Sequence, residues 1–189
     1  MKNKNLFSRE IQEVIATIGK GKNLPSVGAN GKYNPKSGVL YVAGFTRDIE
    51  QNSLILPKNS EEVGVTNIDK ARLKFPFVVI GIKVFQDVNA NSVENIKEID
   101  LTTYTGSDPA ILNGELTIDQ DGVLENLPIL PLSKPDAQDS QNSVYAVSPF
   151  VIREDKVFRI TPDFAGQPKK ETFFRVELHG YHLQPDATV

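Results

Sequence analysis

The sequence predicts an all-β fold: an antiparallel β-sandwich of about eight strands, with an N-terminal amphipathic helix and an extended arm. Three observations carry this. From residue 39 onward the apolar residues recur with a strand-like period in segment after segment. Clusters of Gly, Pro, Asn and Asp separate those segments, and no strong helical period interrupts them. The chain has 189 residues, 39% of them hydrophobic, which is enough for one real core without staples. Eight strands in one sandwich suggest a single jelly roll. The expected division is therefore residues 1–38 as helix and arm, and residues 39–189 as the sandwich.

Residues 6–18 (LFSREIQEVIATI) place Ile11, Val14, Ile15 and Ile18 at the i, i+3, i+4, i+7 spacing of one helix face. Asn5 suits the N-cap and Gly19 the stop. A stripe this short is marginal alone and must dock on something. Residues 19–38 contain five Gly, two Pro, four Lys and three Asn, the composition of an extended linker. The first 24 residues carry a net charge of +3 within a chain of net charge −3, so a basic arm is joined to an acidic body. The arm suits a partner: Leu6, Phe7, Ile11, Val14, Ile15 and Ile18 form its docking face, and Lys2, Lys4, Lys20 and Lys22 would meet acidic groups. The competing reading is a solvated tail.

Among the strands, residues 39–45 come first. Residues 77–85 (FVVIGIKVF) are apolar on both faces, with Val78, Ile80, Ile82 and Val84 on one and Phe77, Val79 and Phe85 on the other. That pattern predicts a central strand covered on both sides. Residues 95–105 are β-branched and half polar. Residues 112–119 alternate cleanly, and Asp121-Gly122 turns them into a return strand, residues 123–129. Further strands are expected at 144–152, 157–160 and 172–183. In the last, Gly180 would mark a bulge that resets the register of Tyr181 and Leu183. Residues 46–74 are the least legible and could hold a short strand near 54–56.

Composition excludes several chemistries. The chain has no cysteine, hence no disulfide frame, thiol nucleophile or iron–sulfur cluster. Its two histidines, His179 and His182, lie three apart, which on a strand puts them on opposite faces unless Gly180 bulges. An acidic pI near 5.5 argues against a dedicated nucleic-acid binder. No apolar run approaches the roughly 18 residues of a membrane-spanning helix. Arg9, Glu10 and Glu13 interrupt the N-terminal region, so a signal peptide is not expected there. Neither a nucleophile-elbow motif nor a phosphate loop is present. The chain is expected to be no enzyme, to act on no small-molecule substrate and to require no cofactor.

One motif stands out. Asp87, Asn89, Asn91 and Glu98 fall at positions 1, 3, 5 and 12 of a calcium loop, where oxygen ligands and a final bidentate carboxylate suit Ca²⁺. Against it, Ser92 stands where the sharp turn wants Gly, and the flanks read as strands. The plainer reading is an Asn/Asp-rich turn. Asp119-Gln-Asp121-Gly122 is likewise a hairpin turn before it is a cation site.

Residues 112–118 (LNGELTI), 124–129 (LENLPI) and 174–180 (FRVELHG) together resemble segments of jelly-roll virion structural proteins of bacterial viruses. The resemblance covers about residues 75–184. It implies a capsid or capsid-associated subunit that packs through sheet edges and loops, ties neighbours with its arm and has no catalytic residues to carry over. It further implies homo-oligomers, contacts with other virion proteins, and a basic arm meeting membrane or genome. Location in the virion, after assembly in the host cytoplasm, follows from the same resemblance. The length leaves room for one jelly roll only, which favours a shell, vertex, spike-base or minor capsid position. A β-sandwich module recognising carbohydrate or a cell surface, calcium-dependent through residues 87–98, is the alternative.

Overall fold

The computed structural model describes residues 33–46, 65–67, 73–88, 107–133, 144–154, 156–169 and 172–185. The expected helix at 6–18, the arm up to residue 32 and the strand at 95–105 lie outside the described residues. Residues 37–182 form one compact unit, and residues 1–36 with 183–189 form another. The elements in order are β1 (Tyr33–Phe45), β2 (Val65–Asn67), β3 (Phe77–Asp87), α1 (Pro109–Leu112), β4 (Glu115–Asp119), β5 (Val123–Pro128), α2 (Ile129–Ser133), β6 (Tyr145–Ile152), β7 (Arg159–Asp163) and β8 (Phe173–Pro185).

The strands form two sheets, one of five in the order β2-β1-β8-β3-β6 and one of three in the order β5-β4-β7. β3 runs antiparallel to both β6 and β8, and β4 to both β5 and β7. β1 and β2 pair in parallel, so the large sheet is mixed rather than wholly antiparallel. One apolar core takes Leu40 and Val42 from β1, Val79, Ile82 and Val84 from β3, and Phe174, Val176 and Leu178 from β8. From the small sheet it takes Leu116, Ile118 and Ile160. The architecture is an all-β two-sheet sandwich.

Several boundaries differ from expectation. β1 starts at Tyr33, so residues 33–38, assigned to the arm on their Gly and Pro content, are strand. β7 spans Arg159–Asp163 rather than 157–160. Two one-turn helices were not expected. Asp108 caps α1 by accepting from Ala110 N, with Pro109 in the first turn, where its missing N–H costs nothing. α2 takes Ile129 out of the return strand and turns Ile129 and Leu132 into the core.

The bulge lies on β3, not on β8. Val79 pairs with Gly180 and Gly81 with His179, leaving Ile80 as the extra residue. The two faces of β3 are therefore not those of simple alternation. Phe77 and Val79 share the core side with Ile82 and Val84, while Lys83 and Phe85 turn outward. β8 stays regular across Gly180. Glycine is required there because a Cβ would overlap the Val78 carbonyl oxygen. The sequence signal was real, but it marked a close approach of two backbones rather than a bulge of its own strand.

Candidate functional site

β8 puts its apolar residues Phe174, Val176 and Leu178 into the core, so Phe173, Arg175, Glu177 and His179 share the opposite face. By composition that row should face water. Instead Arg175 is 1% exposed, Glu177 8% and Lys83 on the neighbouring strand 7%, so the outer face of the large sheet holds a buried row of charges.

The row is built around Glu177. One carboxylate oxygen accepts from Arg175 Nη2 at 2.7 Å, and the other lies 2.9 Å from His179 Nε2. Across the ladder Lys83 stands directly opposite Glu177 and Phe85 opposite Arg175. The Arg175 guanidinium carbon sits 4.0 Å from the centre of the Tyr41 ring on β1, and Lys83 Nζ 4.5 Å from that of Phe85. The Arg175–Tyr41 contact bridges β8 to β1 on this face, the ionic contacts of Glu177 run along β8 itself, and Lys83 lies on the neighbouring β3 at the register position of Glu177. Burial pushes the Glu177 carboxyl upward, but the His179 hydrogen bond and the Arg175 charge outweigh it and hold the group below its ordinary range. Burial lowers the Lys83 ammonium, with Glu177 opposing.

Chemically, this arrangement commits one carboxylate to two partners, the Arg175 guanidinium and the His179 ring. A carboxylate held in that state is a poor general base, because its charged form is already stabilised. The arrangement is suited to fixing strand register, because a one-residue slip would turn the row into the core.

A second polar cluster lies at the end of the sandwich where β3 stops. Asp108 Oδ2 accepts from Lys169 N at 2.7 Å, and its own backbone N–H donates to Gln86 Oε1 at 3.1 Å. Gln86 Nε2 in turn donates to Ser133 Oγ at 3.2 Å. Thr172 N donates to Lys169 O, and Thr46 N to Thr172 O. This knot joins the end of β1, the end of β3, both short helices and the chain entering β8.

Comparison with family models, with curated proteins and with solved structures gives no match. The site therefore rests on its own geometry.

Of the residues singled out as calcium ligands, Asp87 is placed at the end of β3, opposite Phe173 and half-buried. Asn89, Asn91 and Glu98 lie outside the described residues, as do Lys2, Lys4, Leu6, Phe7, Ile11, Val14, Ile15, Ile18, Lys20 and Lys22. Among the described residues no group of three or more acidic, His or Cys side chains could hold a metal ion. Asp121 adopts φ 58° and Gly122 φ 128°, as the hairpin-turn reading requires. The Asp121 carboxylate binds Arg153 Nη2 at 2.6 Å and also Lys156, and the Lys156 hydrogen bond heads the causes that lower its pKa. Gln120 secures the same turn: it accepts from Arg153 N at 2.7 Å and donates to the carbonyls of Arg153 and Lys156.

His179 and His182 lie on opposite faces. His179 belongs to the charged row; His182 meets the Phe77 ring edge-on at 4.8 Å. The charged row escaped the sequence reading. Its signal was Arg-x-Glu-x-His on a strand of thirteen residues, the length of a strand that crosses the whole sheet.

Proposed function

We propose that this chain is a structural subunit of a larger assembly, a single-jelly-roll coat component of a virus particle. The strand order carries the reading. The first and last strands, β1 and β8, lie side by side within the large sheet, with β2 beyond β1 and β3 then β6 beyond β8. The chain passes from one sheet to the other between β3 and β4, β5 and β6, β6 and β7, and β7 and β8. Repeated crossing between the two sheets, with the first and last strands adjacent, supports the jelly-roll reading. The segments that resemble virion proteins fall on β4, β5 and β8, in the body of that sandwich. The buried charged row ties β8 to β1 through Arg175 and Tyr41, which suits a body whose work is to keep its shape.

Light-scattering mass after size exclusion, with negative-stain imaging of the same fractions, tests this. A discrete oligomer or closed particle is expected from the full chain. A chain that stays monomeric at every concentration and binds glycans in a calcium-dependent manner would replace the coat reading with the carbohydrate-binding one.

A further inference from the structure

We infer that Glu125 is a gatekeeper, placed to prevent a second copy of this chain from adding its own strand to the β5 edge. The inference concerns an edge of the small sheet and does not depend on the coat reading.

The two sheets end on β2, β6, β5 and β7 among the described residues. An exposed edge offers unpaired N–H and C=O groups to any other strand. Three of the four edges are blunted in recognisable ways. β2 is only three residues long. β6 contains Pro149, and its pairing with β3 loses register over the stretch before that residue, between Phe150 and Ala146. β7 contains Pro162, which has no N–H to offer.

β5 is different. It spans Val123–Pro128 with its only proline at the last position, and Val123 is 67% exposed. Its pairing with β4 puts Leu127 opposite Leu116, Asn126 opposite Thr117 and Glu125 opposite Ile118. Residues directly opposite share a face. Leu116 and Ile118 are fully buried core residues, so Glu125 stands on the core-facing side, in one row with Ile118 and, beyond it, Ile160. Alternation calls for an apolar residue there. Glu125 makes no hydrogen bond or ion pair among the described residues that would account for a carboxylate. The outward neighbour, by contrast, is well used: Asn126 donates to Glu115 Oε2 and accepts from Thr117 Oγ1.

At the edge the half-buried carboxylate still reaches water. Another strand laid along β5 would take that water away and bury the charge. An inward-pointing charge on an edge strand is a device against edge-to-edge pairing. The extra residue of β5, Leu124, adds a bulge at the same edge. Of all partners, a second copy is the one this guard must exclude, because every copy presents the same edge at the same concentration.

The test is Glu125→Val in the full chain, with the outward Asn126→Val as control. Light-scattering mass is followed over a concentration series, and hydrogen exchange reports the amides of residues 123–127. Glu125→Val is expected to associate beyond the wild-type mass at a concentration at least about tenfold lower than the control, with those amides newly protected. An unchanged mass would overturn the inference, as would association of equal strength from Asn126→Val, which would mean general stickiness. Should Glu125→Val not fold, Glu125→Gln and Glu125→Thr remove the charge with smaller changes, and the same comparison decides. The wild-type mass judges the coat reading; only the difference between variants judges the gatekeeper.

Discussion

Gly180 on β8 packs against the backbone of Val78 on β3 so closely that a Cβ would overlap the Val78 carbonyl oxygen and lie 2.9 Å from its carbon. The Ile80 bulge lies next to this approach, directly after the Val79–Gly180 pair. Gly180→Ala should therefore force the strands apart and cost about 3 kcal/mol, the upper range for overpacking. Gly122→Ala is the contrast. Its Cβ would meet nothing within 4 Å, and only its φ of 128° resists a side chain. A loss of about 1 kcal/mol is expected there. Urea midpoints of the two variants at constant m-value check the order.

Breaking the charged row should be more costly than deleting it. Arg175→Met removes the guanidinium that holds Glu177 and leaves a carboxylate that is 8% exposed. Destabilisation of about 3 kcal/mol or more is expected, as for a buried pair that loses one partner. Arg175→Met combined with Glu177→Leu should recover much of that loss, because no orphaned charge remains. A double-mutant cycle by chemical denaturation measures the coupling. Additive losses would show that the two side chains do not depend on each other.

How far the sequence revealed this molecule depends on which force set each feature. The β4–β5 hairpin was legible because alternation at Leu116 and Ile118 and the Asp121-Gly122 turn are local signals that agree. β1 was shortened by six residues because Gly38 and Pro35 read as linker, whereas pairing within the sheet overrides that preference. The faces of β3 were misassigned because one extra residue, Ile80, inverts every position after it; Gly81 beside it is the mark of that irregularity in FVVIGIKVF, and strict alternation passes over it. β2 was missed because three residues held by a parallel partner carry no periodicity of their own. The burial of Arg175, Glu177 and Lys83 was invisible for a different reason: charge predicts exposure on average, whereas Glu177 is held by Arg175 and His179 on its own strand and Arg175 packs on the Tyr41 ring of β1.

Acid should weaken the fold in two stages. Burial lowers the pKa of His182 below its ordinary 6.5, so the folded ring resists protonation. As pH falls below that value the unfolded chain takes up the proton first, and stability declines until the folded ring also protonates. Glu177 acts lower. Its folded pKa lies below the ordinary 4.5, so its contribution is whole above that value and is lost as pH falls toward the folded pKa. Urea midpoints between pH 8 and pH 5 should fall for the wild type and stay flatter for His182→Asn. Equal slopes would remove His182 from the account.

Asp108 should be the most sensitive single point at the end of the sandwich. Its carboxylate accepts from Ala110 N and Lys169 N, while its backbone N–H is taken by Gln86. Asp108 itself is 4% exposed, so water has little access to its carboxylate. Asp108→Ala removes the cap of α1, worth about 1 kcal/mol. It also leaves the Lys169 N–H without this acceptor, a further cost of about 1–3 kcal/mol. Asp108→Asn keeps an oxygen for one donor but turns an amide N–H₂ toward the other, so it should recover only part of the loss. Gln86→Leu spares both bonds to the carboxylate and should cost less than either. Thermal melting of the three variants gives the order Asp108→Ala, Asp108→Asn, Gln86→Leu from least to most stable. Reversal of the first and last would mean that Gln86, through Ser133, and not Asp108, is the centre of the knot.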